Sequence, residues 1–291
     1  MDTTLYEALP DFDKLWNFGK PADTEVKFRE ILPLAEAARD PSYLAGLLSQ
    51  IARTQGLQGN FDEAHATLDR AENMLTSDLK LAKVRYLLER GRVFNSANNI
   101  DRALPLFLQA YELAFAITET KFAVDAIHMV AIAKQDPKKQ IEWNLKGIEM
   151  AQADSNSRGW LHALYNNIGE SYLTAKEYDH AASYFHKLSV LQKEKSGTPD
   201  MHTLKDEARA IRLSGHPDKA IEMIEPIYQK LIAENQDDGW IREEMAENLY
   251  ILGQKEKAKP HFLKAYELLS KENFCITHEQ DKLKHLKEMA E

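Results

Sequence analysis

A small residue followed four positions later by a large apolar one recurs along this chain at a nearly constant step. The small residues are Ala64, Ala103, Ala181, Ala220 and Ala258. The large ones are Leu68, Phe107, Phe185, Ile224 and Phe262. Three positions further on stand Ala71, Ala110, Leu188, Ile227 and Ala265. Steps of four and three keep each trio on one helical face. A small side chain lets two helices approach, and the larger one fills the gap beside it. Before each trio runs a second apolar stretch with helical period, closed by a short turn carrying Gly, Asn or Lys. Residues 164–188, "LYNNIGESYLTAKEYDHAASYFHKL", show the whole unit: helix, turn, helix.

Two further units are degenerate. Residues 15–38 place Thr24, Phe28 and Ile31 in the packing slots, and residues 122–151 place Gln140, Asn144 and Gly147 there. The expected organisation is one domain over 1–291. It has a degenerate N-terminal unit (1–40), then repeats at about 42–75, 80–116, 120–152, 158–194, 199–233 and 238–270. The polar segment 278–291 is expected to be a capping helix over the last apolar face, because end units of such arrays need a solvated outer side.

Composition narrows the function classes. The 291 residues carry a formal charge of -9 and no basic stripe, which argues against nucleic acid as a partner. The single cysteine, Cys275, excludes an intrachain disulfide and cysteine-based structural zinc. The opening segment lacks a basic stretch followed by an apolar run, and no stretch approaches a membrane span. A cytoplasmic protein without membrane contact is expected. No nucleophile elbow, phosphate loop or His-Glu-x-x-His motif occurs. "DSNSRG" at 154–159 imitates the start of a calcium loop, but Arg158 and Tyr165 stand where ligands belong, so a turn is expected. No metal, cofactor or catalytic residue is expected.

The repeat resembles the tetratricopeptide family. Tyr165, Ile168, Gly169 and Tyr172 on a first helix, then Tyr178, Ala181 and Phe185 on a second, carry the motif most fully. The steps from Thr24 through Ala64, Ala103, Gln140, Ala181 and Ala220 to Ala258 are 40, 39, 37, 41, 39 and 38. The family's standard unit is about 34 residues. The longer step resembles the long-helix branch, as in kinesin light chains and Rap-type peptide-responsive regulators. Leu15, Trp16, Asn17 and Phe18 also resemble the opening of bacterial proteins built only of such units. The resemblance implies an all-α right-handed superhelix of about fourteen helices, a stack of antiparallel pairs. It implies a non-enzymatic interaction scaffold whose first helices line a concave partner-binding groove. A peptide- or small-molecule-responsive sensor is the alternative.

With the packing residues turned inward, other first-helix positions face that groove. They are Arg53, then Arg85, Arg92 and Asn95, with Asp125 and His128 following. Asn166 and Glu170 come next, then Lys205, Arg209 and Arg212, then Trp240, Glu243, Glu247 and Tyr250. Arginines on an inner face suit an acidic or C-terminal peptide, which a guanidinium grips with two hydrogen bonds. The competing expectation is that Arg209 and Arg212 pair with Glu170, Glu243 and Glu247. Asn167 and Lys205 with Arg209 only partly match the clamp of the family's chaperone-tail readers, because no Lys-x3-Asn precedes them. In the third unit Asn144 takes a slot held elsewhere by Phe107 or Phe185, and His128 lies on the facing helix, near the slot of Gly91 and Gly169. A polar pocket with a His128–Asn144 hydrogen bond, and Trp143 beside it, is expected there. Replacing Arg53, Arg92 and Arg209 by alanine is expected to weaken partner binding with little loss of stability.

Overall fold

Second helices press a large side chain against the backbone of first helices, and this contact is plain at Gly91 on one first helix and at Gly169 on another. In the computed structural model, which describes residues 9–291, a Cβ added to Gly91 would lie 2.5 Å from the Phe107 ring. One added to Gly169 would lie 2.7 Å from Phe185. Phe107, Phe185, Leu68, Ile224 and Phe262 are all fully buried, as are the alanines four positions before each of them.

The described chain is helical throughout. A 3-10 turn, Phe12–Leu15, precedes α1 (Pro21–Ala37). Pairs follow: α2 (Pro41–Leu57) with α3 (Phe61–Glu72), α4 (Lys80–Ser96) with α5 (Ile100–Ala116), and α6 (Thr120–Ala133) with α7 (Pro137–Ala153). A second 3-10 segment, Ser155–Trp160, closes this first unit. The chain separates there into two compact units, Met1–Trp160 and Leu161–Glu291. The second unit pairs α8 (Leu161–Thr174) with α9 (Tyr178–Ser196), α10 (Met201–Leu213) with α11 (Pro217–Ala233), and α12 (Gly239–Ile251) with α13 (Lys255–Leu269). The short α14 (Asn273–His278) leads to α15 (Gln280–Ala290), which packs on α13 through the fully buried Leu286.

Local chemistry sets the turns. Gly59, Asn98, Lys176, Gly215 and Gly253 adopt positive φ between paired helices. In each case the next residue donates its N–H back across the turn: Asn60 to Gln55 O, Asn99 to Phe94 O, Glu177 to Tyr172 O, His216 to Ile211 O, and Gln254 to Leu249 O. This Schellman closure satisfies carbonyls that a helix end would otherwise leave bare. The turn between α6 and α7 differs. Lys134 is extended (ψ 137°), and Asp136 caps α7 at Lys138 N just before Pro137. Asp40, Asp200 and Asp238 cap α2, α10 and α12 in the same way. The 154–159 stretch is a turn held by Asp154, which accepts from Ser157 Oγ. Among the described residues no helix is long and apolar enough to cross a membrane.

Because Gly169 has no room for a Cβ, Gly169→Ala should lose about 1–3 kcal/mol by overpacking. Phe185→Leu in the same chain should recover part of that loss. Thermal melting of both variants followed by circular dichroism measures this. Equal melting of Gly169→Ala and the wild type would show that the contact is not tight.

Candidate functional site: a charged face on the first helices

Steps of three and four place one stripe with charged or polar members on each first helix of the first unit. On α2 it is Gly46, Gln50 and Arg53. On α4 it is Arg85, Glu89 and Arg92, and on α6 it is Phe122, Asp125 and Met129, with His128 beside it. Helices α2 and α4 lie side by side, as do α4 and α6, so the stripes meet.

What meets is a row of ions. Glu89, only 3% exposed, takes three hydrogen bonds at one oxygen. The donors are Gln50 Nε2 at 3.3 Å, Arg53 Nη1 at 3.2 Å and Arg92 Nη1 at 2.8 Å. Arg92 also donates to Asp125. Burial opposes the charge on Arg92, but Asp125 and Glu89 reverse that and raise its pKa. Arg53 is lowered, by burial first and by Arg92 second. Three buried atoms near this row are left without partners: Arg53 Nε, the second oxygen of Glu89, and His128 Nδ1. A cavity of about 150 Å³ opens beside it, lined by Arg53, Leu57, Arg92, Asn95, Ser96 and Met129 among others.

The remaining first-unit expectations divide. Arg85 is engaged, donating twice to Asp13 at 3.0 and 2.5 Å. His128 and Asn144 have the same separation in sequence as Gly91 and Phe107, or Gly169 and Phe185. The expected bond between them is absent: His128 Nδ1 and Asn144 Oδ1 are both buried without a hydrogen-bond partner. The aromatic neighbour of His128 is Trp160, at 5.3 Å, while Trp143 meets Tyr111 edge-on at 5.7 Å. Burial pushes the His128 imidazole down to about 4, with Arg92 and Arg53 adding to the effect and Asp125 opposing it.

In the second unit Arg212 is bound by Glu244, Nε at 2.7 Å and Nη2 at 2.9 Å, with Glu247 at 4.0 Å. The pairing expectation holds for Arg212, but its main partner is the buried Glu244. Lys205 pairs with Asp206 at 2.6 Å. Trp240 has Lys205 over its ring at 5.4 Å and Lys282 of α15 at 4.3 Å, and its indole N–H donates to Glu272. Glu243 pairs with Lys282 and Glu247 with His285, so α15 reaches the α12 stripe. Burial raises the Glu243 carboxyl. Among the described residues Arg209, Asn166 and the Glu170 carboxylate make no hydrogen bond or ion pair. His162 bonds Gln192 at 3.1 Å. Among the described residues no group of three or more His, Cys, Asp or Glu is placed to hold a metal.

Glu89, Gln50, Glu244 and Lys282 went unnoticed in the sequence. Glu89 had a signal, lying four positions after Arg85 and three before Arg92.

One expectation changes. Removing Arg92 strands the buried Asp125 and leaves Glu89 with Arg53 as its one cation, so Arg92→Ala should cost about 3–5 kcal/mol in urea denaturation. Arg209→Ala should stay within about 0.5 kcal/mol. Similar losses for both would contradict the ion row. His128 binds its proton far less readily folded than unfolded, so acid favours the unfolded chain between about pH 6.5 and 4. Stability should therefore fall across that window, less so in His128→Phe. An NMR titration should find the His128 ring neutral at pH 5.5, and protonation near 6.5 would refute its burial.

No protein-family model matches the chain, and no curated protein matches it. Solved structures do. A signal-transduction ATPase with a tetratricopeptide repeat sensor, from Pyrococcus horikoshii, aligns with TM-score 0.71 at 17% identity. That match covers 94% of this chain and 44% of that one, so the chain spans less than half of that protein's length. BtubC from P. vanneervenii aligns with TM-score 0.61 at 13% identity, over 79% of this chain and 94% of that one. NprR, in complex with its cognate peptide NprX, aligns with TM-score 0.53 at 16% identity, over 92% and 78%. At such identities the likeness is one of fold: the chain is an all-α solenoid of stacked antiparallel helix pairs, of the tetratricopeptide repeat type.

Proposed function

We propose that this chain is a non-enzymatic interaction scaffold that takes a peptide or protein segment on its first-helix face. The observation that carries the reading is the ion row on α2, α4 and α6. Replacing buried ion pairs by packed apolar residues is often neutral or stabilising, so stability alone gives weak reason to keep such a row. Here it borders a cavity and leaves Arg53 Nε and a Glu89 oxygen unsatisfied. The partner chemistry that fits Arg53 is an acidic side chain or a C-terminal carboxylate. In the second unit Arg209, Lys205, Trp240 and Asn166 are the corresponding candidates. The single, buried cysteine suits a reducing, cytoplasmic setting.

The likeness to NprR with its peptide supports a second reading, a ligand-responsive sensor. Compaction on adding a bound peptide, seen by X-ray scattering, would favour the sensor over a static scaffold.

The test is a peptide library with free or amidated C-termini and varied acidic content, presented to the wild type and to Arg53→Gln. Enrichment of acidic or free-carboxylate peptides by the wild type, weakened about tenfold or more in Arg53→Gln, is expected. Equal enrichment by both proteins would remove Arg53 from the binding face.

A further inference from the structure

Helix α1 carries the packing residues of a second helix, Thr24 and Phe28, yet the described chain has no first helix before it. Residues 10–18, PDFDKLWNF, lie in that place. Part of what they do is structural: the rings of Phe12 and Trp16 meet Phe28 edge-on, at 6.4 and 5.4 Å.

The segment does more than fill a gap, because it follows the polar stripe of α2 from end to end. Phe12 lies over Gly46, where an added Cβ would be 3.2 Å from the ring. Trp16 donates its indole N–H to Gln50 at 2.9 Å. Trp16 and Phe18 stack at 4.6 Å, and the Arg53 guanidinium lies over both rings. Asp13 then crosses to α4 and takes two hydrogen bonds from Arg85. That guanidinium also lies near the rings of Phe12, at 5.3 Å, and Phe122 of α6, at 4.8 Å. The Asp13 side chain is 41% exposed, so the rim of this contact is open to solvent.

We infer that residues 10–18 are a tethered occupant of a docking face on α2 and α4. The face takes, from a partner, a segment of the same chemistry: an aromatic residue followed by a carboxylate, with a second aromatic three positions on. The inference rests on the scaffold reading above and names its partner class. Arg85 offers a paired grip that any incoming Asp or Glu can use in place of Asp13. Gly46 leaves room for a flat ring, and Gln50 offers an acceptor to an indole. A short tether gives the resident segment an effective concentration on the order of millimolar, so a free segment succeeds only when it binds better or when the resident one is weakened.

The experiment uses the full chain and a fluorescein-labelled peptide of the sequence PDFDKLWNF, with binding read by anisotropy. Asp13→Ala removes the resident carboxylate from an open site, and circular dichroism checks that the variant is folded. The peptide should bind Asp13→Ala at least about tenfold tighter than the wild type, a difference of about 1.4 kcal/mol. Adding Arg85→Ala should abolish the gain, as should Asp→Asn in the peptide. Equal affinity for wild type and Asp13→Ala would overturn the inference. So would a folded Asp13→Ala that melts lower and takes up no peptide, since the segment would then be structural only. Failure here with Arg53-dependent enrichment in the library removes this inference alone. Success here without such enrichment removes Arg53 from the binding face and keeps the docking face on Arg85.

Discussion

The close contact between a ring on one helix and bare backbone on the next governs this molecule. A phenyl group 2.5–2.7 Å from where a Cβ would sit leaves almost no freedom in the separation of α4 from α5, or of α8 from α9. Helix pairs fixed this closely hold the outward-facing positions of the first helices as a rigid rack. The ion row follows from it. Arg92 can serve Glu89 and Asp125 at once because α4 and α6 are held at a set distance and register.

The third pair shows what happens when that contact is given up. His128 and Asn144 replace the small residue and the ring, and neither His128 Nδ1 nor Asn144 Oδ1 finds a partner. The turn between α6 and α7 has also lost its positive-φ residue, and Pro137 with the Asp136 cap starts the second helix instead. The pair still buries Ile141, Gly147 and Ala151. Its packing has passed to neighbours, Trp160 against His128 and Trp143 against Tyr111.

The helix pairs were legible in the sequence because their determinants are close in the chain. Ala181 and Phe185 lie on one turn, and Gly169 stands on the helix just before its ring. The pairing of charges was not, because it depends on which helices become neighbours. Arg92 and Asp125 both stand out as polar positions on first helices, but only the fold makes them one ion pair, from one repeat to the next. The segment before α1 was harder still. Phe12, Asp13 and Trp16 follow no repeat, so no period could align them with Gly46, Arg85 and Gln50. For His128 and Asn144 the sequence suggested a hydrogen bond from their register, but register alone does not make one, and His128 Nδ1 and Asn144 Oδ1 are left without partners.

The exchange at the third pair also restricts how such a chain can change. Starting from glycine and phenylalanine, putting histidine in first would force two rings into one space. Putting asparagine in first would open a void and bury an amide with nothing to bond. The second order costs less, because a void can shrink by small shifts whereas overlapping atoms must push whole helices apart. The passable intermediate between the two arrangements is therefore glycine facing asparagine, whichever way the exchange runs, and neither position can change far without the other.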